Sequence, residues 1–363
     1  MAIYKIGVLQ GDGIGPEIVP ATVKVLKAVE QQLESTIFEW IDYPIGWEAI
    51  EEYNNPVPEI TKEGLKTCHG WIMGPHDSVA YPKEHKAGRN PSGELRFYFD
   101  LYSNIRPSQT IPGINSVVKE ADMVIFRENT EGFYSDRNMY VGTGEWQITS
   151  DVVVSTGVFT KKAITRIAHA ACKMAMERNK KLTIVHKANV IKLGTGMFLN
   201  VCKEVAQQYP ELTVDDYHID AMAAHMVRRA QDFDVIVTEN MFGDILSDLA
   251  GELVGSLGLA PSINTNDSMG MAQAAHGSAP DIAGENIANP IGIMLSSVML
   301  LQWLGNRHQD NRLFDAARIM ESAIMEAIKE GSCTSDLGGN ETTSSFAETI
   351  IKKVESIKAV EGK

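Results

Sequence analysis

The chain has 363 residues, 44% of them hydrophobic and 22% charged, with a formal net charge of −14 at pH 7. This suits a soluble globular protein of two domains or one large α/β unit, with ample material for a core. The acidic balance argues against nucleic acid and anionic membranes as partners, so any local cluster of arginines becomes informative.

No apolar run approaches the ~20 residues of a membrane span. Residues 1–9 are too short and polar for a signal peptide and read as a first strand. Cys68, Cys172, Cys202 and Cys333 form no CxxC pair, which points to reduced thiols and a cytosolic setting. Next comes Gly11-Asp12-Gly13-Ile14-Gly15-Pro16-Glu17. Pro16 suits the first turn of a helix whose apolar face includes Ile18, Val19, Val23, Leu26 and Val29. The glycines resemble a dinucleotide loop, but GxGxG followed by Pro is not GxGxxG and serves equally as a tight strand-to-helix turn. Residues 37–45 and 70–75 read as further strands, and strands alternating with helices imply a largely parallel sheet. Residues 77–92 read as a mobile polar loop.

Arg96 and Arg106 follow, and Arg127 comes just after an apolar strand, where α/β sheets present ligand contacts. Three guanidinium groups could hold two or three carboxylates, although each alone could be a surface ion-pair partner. Residues 140–158 read as a hairpin whose β-branched strands need covering, which suggests a partner subunit. A helix is expected over 160–178, then a strand over 182–190 that carries Lys187. A lysine at a strand end can act as a base if its neighbours favour loss of the proton. Asp220 reads as the N-cap of a helix over 221–230. The strand 233–237 is then expected to end near Gly243, with a helix opening at Asp244. Asp244 and Asp248, at i and i+4, share one helix face. Two carboxylates so close repel unless a cation lies between them, and oxygen-only ligands favour Mg²⁺ or Mn²⁺. In isolation a solvated helix face is the preferred reading of the pair; the rest of the chain reverses that preference. Residues 276–290 are small and turn-forming, able to bring backbone against a flat ligand, and Asp281 could accept from a ribose diol while repelling a 2′-phosphate. The chain beyond Pro290 reads as helical, with helices over 294–304 and 313–330.

Taken together, the segments at Gly11–Glu17, Asp100–Pro107, Arg127–Tyr134, Lys187–Val190, Gly243–Asp248 and His276–Gly284 resemble, in order, the β-decarboxylating dehydrogenases of isocitrate, 3-isopropylmalate, homoisocitrate, tartrate and D-malate. The resemblance implies an α/β fold of two domains with mixed sheets flanked by helices, not a Rossmann fold. It implies a large cofactor-side domain from residues 1–100 plus 255–363, and a small domain from 101–254 with the dimerisation hairpin. It assigns Arg96, Arg106 and Arg127 to the substrate carboxylates, Tyr134 to acid/base work, and Lys187 with Asp220 to a pair supplied by the other subunit. Asp220, Asp244 and Asp248 become the metal ligands. His276, Gly277, Ala279, Asp281, Ile282 and Asn289 surround the adenosine. NAD and Mg²⁺ or Mn²⁺ are the implied cofactors, and a homodimer with shared active sites is implied. Asp281-Ile282, where NADP-using bacterial isocitrate members carry Lys-Tyr, favours NAD.

The implied reaction is oxidation of a 3-substituted malate followed by loss of CO₂. The isopropylmalate enzymes place leucines four and three residues before the first arginine, where this chain has Ser92 and Gly93. A polar third substituent therefore fits best, with isocitrate or a close relative first, and tartrate, D-malate and a 3-alkylmalate behind it. A catalytically silent regulatory subunit and a nucleotide-binding protein without redox chemistry are the competing classes. Intact Tyr134, Lys187, Asp220, Asp244 and Asp248 argue against the first.

Overall fold

The computed structural model describes residues 2–86, 88–134 and 144–357. Among them, ten strands form one sheet: β1 (Tyr4–Leu9), β2 (Phe38–Asp42), β3 (Gly70–Met73), β4 (Ser103–Gln109), β5 (Asp122–Glu128), β8 (Lys181–His186), β9 (Thr213–His218), β10 (Val235–Thr238), β11 (Ile263–Thr265) and β12 (Gly270–Ala272). Their spatial order is β2-β1-β3-β12-β11-β4-β5-β10-β8-β9. Both ends of the sheet are parallel, as the strand–helix alternation requires. The middle is antiparallel, because β11 pairs with both β12 and β4, and β4 with β5.

Helices cover both faces. On one half, α1 (Gly15–Gln32), α9 (Ile291–His308), α10 (Asn311–Lys329) and α11 (Thr343–Ser356) bury Ile18, Met294, Ile319 and Phe346 against β1 and β3. The opposite face carries Trp71, Leu95 and Phe99. On the other half, α5 (Lys161–Glu177) and α6 (Gly194–Ala206) pack on Val124 and Phe126. The helices α7 (Ile219–Arg229) and α8 (Asn240–Val254) pack on Met123 and Ile125. Even residues of β5 thus face α5 and α6 while odd residues face α7 and α8, the two-residue period of a strand buried on both sides. No helix among the described residues is long and apolar enough to cross a membrane.

The expected hairpin is present as β6 (Glu145–Thr149) and β7 (Val152–Ser155), a separate two-stranded sheet, while residues 140–143 of that expectation lie outside the described residues. Trp146, Ile148 and Val153 on it are exposed. Three local expectations need correction. The strand β10 ends at Thr238, and α8 opens at Asn240 with Gly243 inside it. A Cβ at Gly243 would lie 2.6 Å from Arg127 Cγ, so this glycine serves the approach of helix to strand and not a turn. The N-cap position of α7 belongs to His218, and Asp220 sits in the first turn, where a negative charge meets the helix dipole. Residues 77–92 hold a short 3₁₀ turn and the start of α4 (Pro91–Tyr98). Tyr81 in that segment is buried against Asp12, whose carboxylate also accepts from the Trp47 and Asp77 amides at 2.8 Å.

Candidate active site

A cleft of about 460 Å³ is lined by Ser92, Arg96, Arg106, Arg127, Tyr134, Asp244, Gln273 and His276, among others. Different elements deliver the arginines. The helix α4 starts on Asn90, whose side chain accepts from Gly93 N at 2.7 Å, and carries Arg96 in its last turn. Arg106 lies on β4 and Arg127 at the end of β5, where it pairs with Asn104 across the antiparallel ladder. Strand alternation turns Asn104, Arg106, Ile125 and Arg127 to the α8 face.

All three arginines are buried, at 8%, 5% and 2% exposure. Buried guanidinium groups require partners; Gln273 meets Arg96, and α8 serves Arg106 and Arg127. Asn240 Oδ1 accepts from Arg127 Nε at 3.0 Å and from Nη2 at 2.8 Å, while Arg127 Nη1 pairs with Asp244. Arg106 Nη1 donates to Ser247 Oγ at 2.7 Å and lies 3.5 Å from both Asp244 and Asp248. Burial, and then the charge of Arg106, brings the Arg127 guanidinium down to about 10. Tyr134 donates its hydroxyl to Asp244 Oδ2 at 2.6 Å, and the Arg127 guanidinium lies 5.5 Å from the centre of its ring.

The expected carboxylate pair is on one helix face and differs in state. Burial works against the Asp244 charge, but Arg127, Arg106 and the Tyr134 hydroxyl outweigh it and hold its carboxyl below the usual value. Burial, eased by Arg106 and reinforced by the charge of Asp244, pushes Asp248 up. A divalent cation between them would relieve that repulsion, and two carboxylates are the hard oxygen donors such an ion takes. They are an incomplete set: among the described residues no three acidic, histidine or cysteine side chains gather to hold a metal in one chain. Asp220 is paired elsewhere, with Lys187, and neither residue lines the cleft. That lysine is the first cause holding the Asp220 carboxyl below its ordinary value.

On the other wall, His276 and Gly277 border the cleft. His276 Nδ1 meets Gly277 O at 3.0 Å, while Nε2 is buried without a partner among the described residues, an orphaned polar atom that a nucleotide base could satisfy. The loop is braced by the first glycine turn: Ile14 N donates to Ser278 O at 2.9 Å, and Gly284 N to Glu17 Oε1 at 2.5 Å. A Cβ on Gly13, whose φ is +57°, would lie 2.0 Å from Ser278 O, so the GxGxG motif seats this loop. Ala279 adopts φ 39°, Asp281 and Gly277 are exposed, and Ile282 is half-buried. Asn289 turns inward, accepting from Ile291 N and donating to Asp336, both at 2.9 Å. Residues 276–284 thus fit a nucleotide, while Asn289 ties the loop to the helix layer.

Sequence reasoning missed Asn240 and Ser247, which partner Arg127 and Arg106, and Gln273, which touches Ser92 and Arg96. The signal for Gln273 was a lone amide in the run Ala272-Gln273-Ala274-Ala275 after a strand.

The family model for isocitrate/isopropylmalate dehydrogenase matches residues 5–350. An isocitrate/homoisocitrate dehydrogenase of Thermus thermophilus is 41% identical over 98% of this chain and 99% of its own length. A 3-isopropylmalate/3-methylmalate dehydrogenase of Methanocaldococcus jannaschii is 40% identical over 97% and 99%. The crystal structure of isocitrate dehydrogenase from Methylococcus capsulatus superposes with a TM-score of 0.87 at 36% identity, covering 97% of this chain and all of that one. With a whole-chain family match and a fold that agrees, the chain belongs to the isocitrate/isopropylmalate dehydrogenase family and is an oxidoreductase.

Proposed function

We propose that this enzyme carries out the NAD-dependent oxidative decarboxylation of a malate bearing a polar third substituent, the class that includes isocitrate, homoisocitrate and tartrate, with Mg²⁺ or Mn²⁺. The observation that carries this reading is the burial of Arg96, Arg106 and Arg127 around one cleft in a chain of net charge −14. Such a concentration of positive charge suits a ligand with two or more carboxylates. The polar wall at Asn90, Ser92 and Gln273 favours a polar third substituent over an alkyl one.

Asp244 and Asp248 would hold the divalent ion with Asp220 from a second copy of the chain, whose exposed hairpin strands offer edges and apolar side chains for pairing. When bound, the ion would supply positive charge to offset the oxyanion that develops, and NAD would supply the hydride acceptor. The arginines fix the carboxylates and so the orientation of the carbon that reacts. Lys187, paired with Asp220, takes the hydroxyl proton. Tyr134, held by Asp244, returns a proton to the carbon that lost CO₂. His276 and the turn at 277–282 take the adenosine end, and the exposed Asp281 carboxylate disfavours a 2′-phosphate.

The test follows absorbance at 340 nm with the purified protein, Mn²⁺, NAD or NADP, and a panel of 3-substituted malates. NADH should form with at least one polar-substituted acid, and faster with NAD than with NADP. No rise with any acid sinks the reading.

A further inference from the structure

Gln273 follows β12 and its backbone is fixed, with its N–H on Ser262 O at 3.1 Å and its carbonyl accepting from Ser262 Oγ at 2.6 Å. Its side chain, in a residue only 6% exposed, meets two groups at a single atom: Ser92 Oγ is 2.7 Å and Arg96 Nη2 3.1 Å from Oε1. Arginine can only donate, so the amide atom facing it is the oxygen; the flipped amide would set donor against donor. That orientation settles the serine. An amide oxygen only accepts, so Ser92 commits its one proton to Gln273 and turns lone pairs toward the cleft. Gln273 Nε2 reaches Gly74 O only at 3.5 Å, the outer limit of a hydrogen bond, so it retains donor capacity. Ser92 and Gln273 both line the cleft, so its wall carries one acceptor, Ser92 Oγ, and one donor, Gln273 Nε2.

We propose that Gln273 determines which malate is used, and that the third substituent of that malate is a neutral hydroxyl group. The inference rests on the activity proposed above and narrows it. A hydroxyl donates to Ser92 and accepts from Gln273, satisfying both. A carboxylate only accepts, so it faces the lone pairs of Ser92 and must break the Ser92–Gln273 bond to gain a second donor. An alkyl group offers nothing to the Ser92 lone pairs or to the remaining donor capacity of Gln273 Nε2, so neither gains a ligand partner for the water it displaces. Gln273 also accepts from Arg96 without cancelling its charge, which a glutamate at this position would do, and so keeps that charge for a substrate carboxylate.

The test compares kcat/KM for three malates that differ only at carbon 3, bearing hydroxyl (tartrate), carboxymethyl (isocitrate) or isopropyl groups, with the full chain, Mn²⁺ and NAD. The hydroxylated acid should lead each of the others by about tenfold or more. Gln273→Leu should cut that lead about tenfold, mainly through KM, because the freed serine proton can then serve a carboxylate. Ser92→Ala should cut it similarly, and carries the test alone if Gln273→Leu does not fold by thermal melting. A wild-type preference for isocitrate or isopropylmalate overturns the inference while leaving the dehydrogenase reading intact. So does a folded variant that slows all three acids in proportion. Absence of NADH with every acid removes the activity and the inference together.

Discussion

Arg127 and Glu128 are neighbours at the end of β5, yet they build opposite kinds of site. Arg127 turns to α8 and joins Arg106, Asp244 and Tyr134 in a cleft where buried charges are matched. Glu128 turns to the α5 side, where Glu131 and Glu239 join it; among the described residues no lysine or arginine forms an ion pair with any of the three, and Arg166, paired with Asp100, only eases Glu128 and Glu131 from nearby. Glu128 accepts from Thr130 N and Glu131 N at 2.8 Å, and Glu131 from Thr160 N and Oγ1 at 2.8 Å. Glu239, 2% exposed, has no partner for either carboxylate oxygen among the described residues. Burial and the charges of its two neighbours push Glu239 up to about 8, and burial and Glu128 push Glu131 up to about 7. A one-residue step in a strand reverses the face and so separates the two populations. The carboxylates cannot cancel the arginines, which stay charged for a ligand.

The sharpest way to break this contrast is Arg127→Met. It strips Asp244 of its nearest cation and the proposed substrate of one clamp, and should lower kcat/KM by about 10³- to 10⁴-fold. Arg127→Lys should recover only part, because an ammonium cannot hold Asn240 and Asp244 together. Steady-state rates at 340 nm decide it; a variant with near-normal kcat/KM would show that the matched charges are structural. Lys187→Met extends the test to the pair outside the cleft, and should lower kcat by about 10³-fold. If second copies share their sites, mixing the two inactive variants and allowing exchange should restore about a quarter of wild-type activity, since half the dimers are mixed and each has one intact site. No recovery after verified exchange would place Lys187 in its own subunit's site.

On the acid side the expected change is in stability. A glutamic acid whose folded pKa of about 8 exceeds its unfolded value binds its proton more tightly in the folded protein. Its contribution is complete below about 4.5, falls as pH rises, and is lost once pH passes about 8. Asp244, held down by the arginines, has the opposite sign: its contribution is present above the ordinary aspartate range and lost as pH falls through its depressed value. Glu239→Gln should therefore match wild type near pH 5 and gain about 2–4 kcal/mol over it at pH 9, read from urea unfolding at both values. An equal offset at the two pH values would mean that Glu239 is ionised in the folded state.

The same contrast explains what could be read in advance. Arg106 and Arg127 stood out because charge is scarce in buried strands, and the DxxxD pair because i, i+4 spacing is a local fact, whereas Tyr134 came only with the family resemblance. The parallel ends of the sheet followed from local alternation, but β11 and β12 are three residues each, too short for a two-residue period to register. Gly243 was misplaced because sequence shows that a side chain is absent but not what occupies its space, here Arg127 from 116 positions earlier. Gln273 and Ser92 lie 181 residues apart, and Arg106 and Ser247 141. Such pairings belong to the fold, so no spacing within one segment reveals them. Glu128, Glu131 and Glu239 were visible as letters but not as one buried group.

The smallest expected effect separates the two faces most cleanly. Thr160 caps α5, accepting from Ala163 N at 3.2 Å, and its hydroxyl donates to Glu131 at 2.8 Å. Thr160→Ala removes both and should cost about 1–2 kcal/mol of stability. Thr160 is not among the residues that line the cleft, so kcat/KM should stay within about threefold of wild type. If kcat falls in step with stability, the acid group bears on the proposed proton transfers and strand alternation does not insulate the two faces. If only the unfolding midpoint moves, Arg127 and Glu128 divide the labour of one strand end between binding and folding.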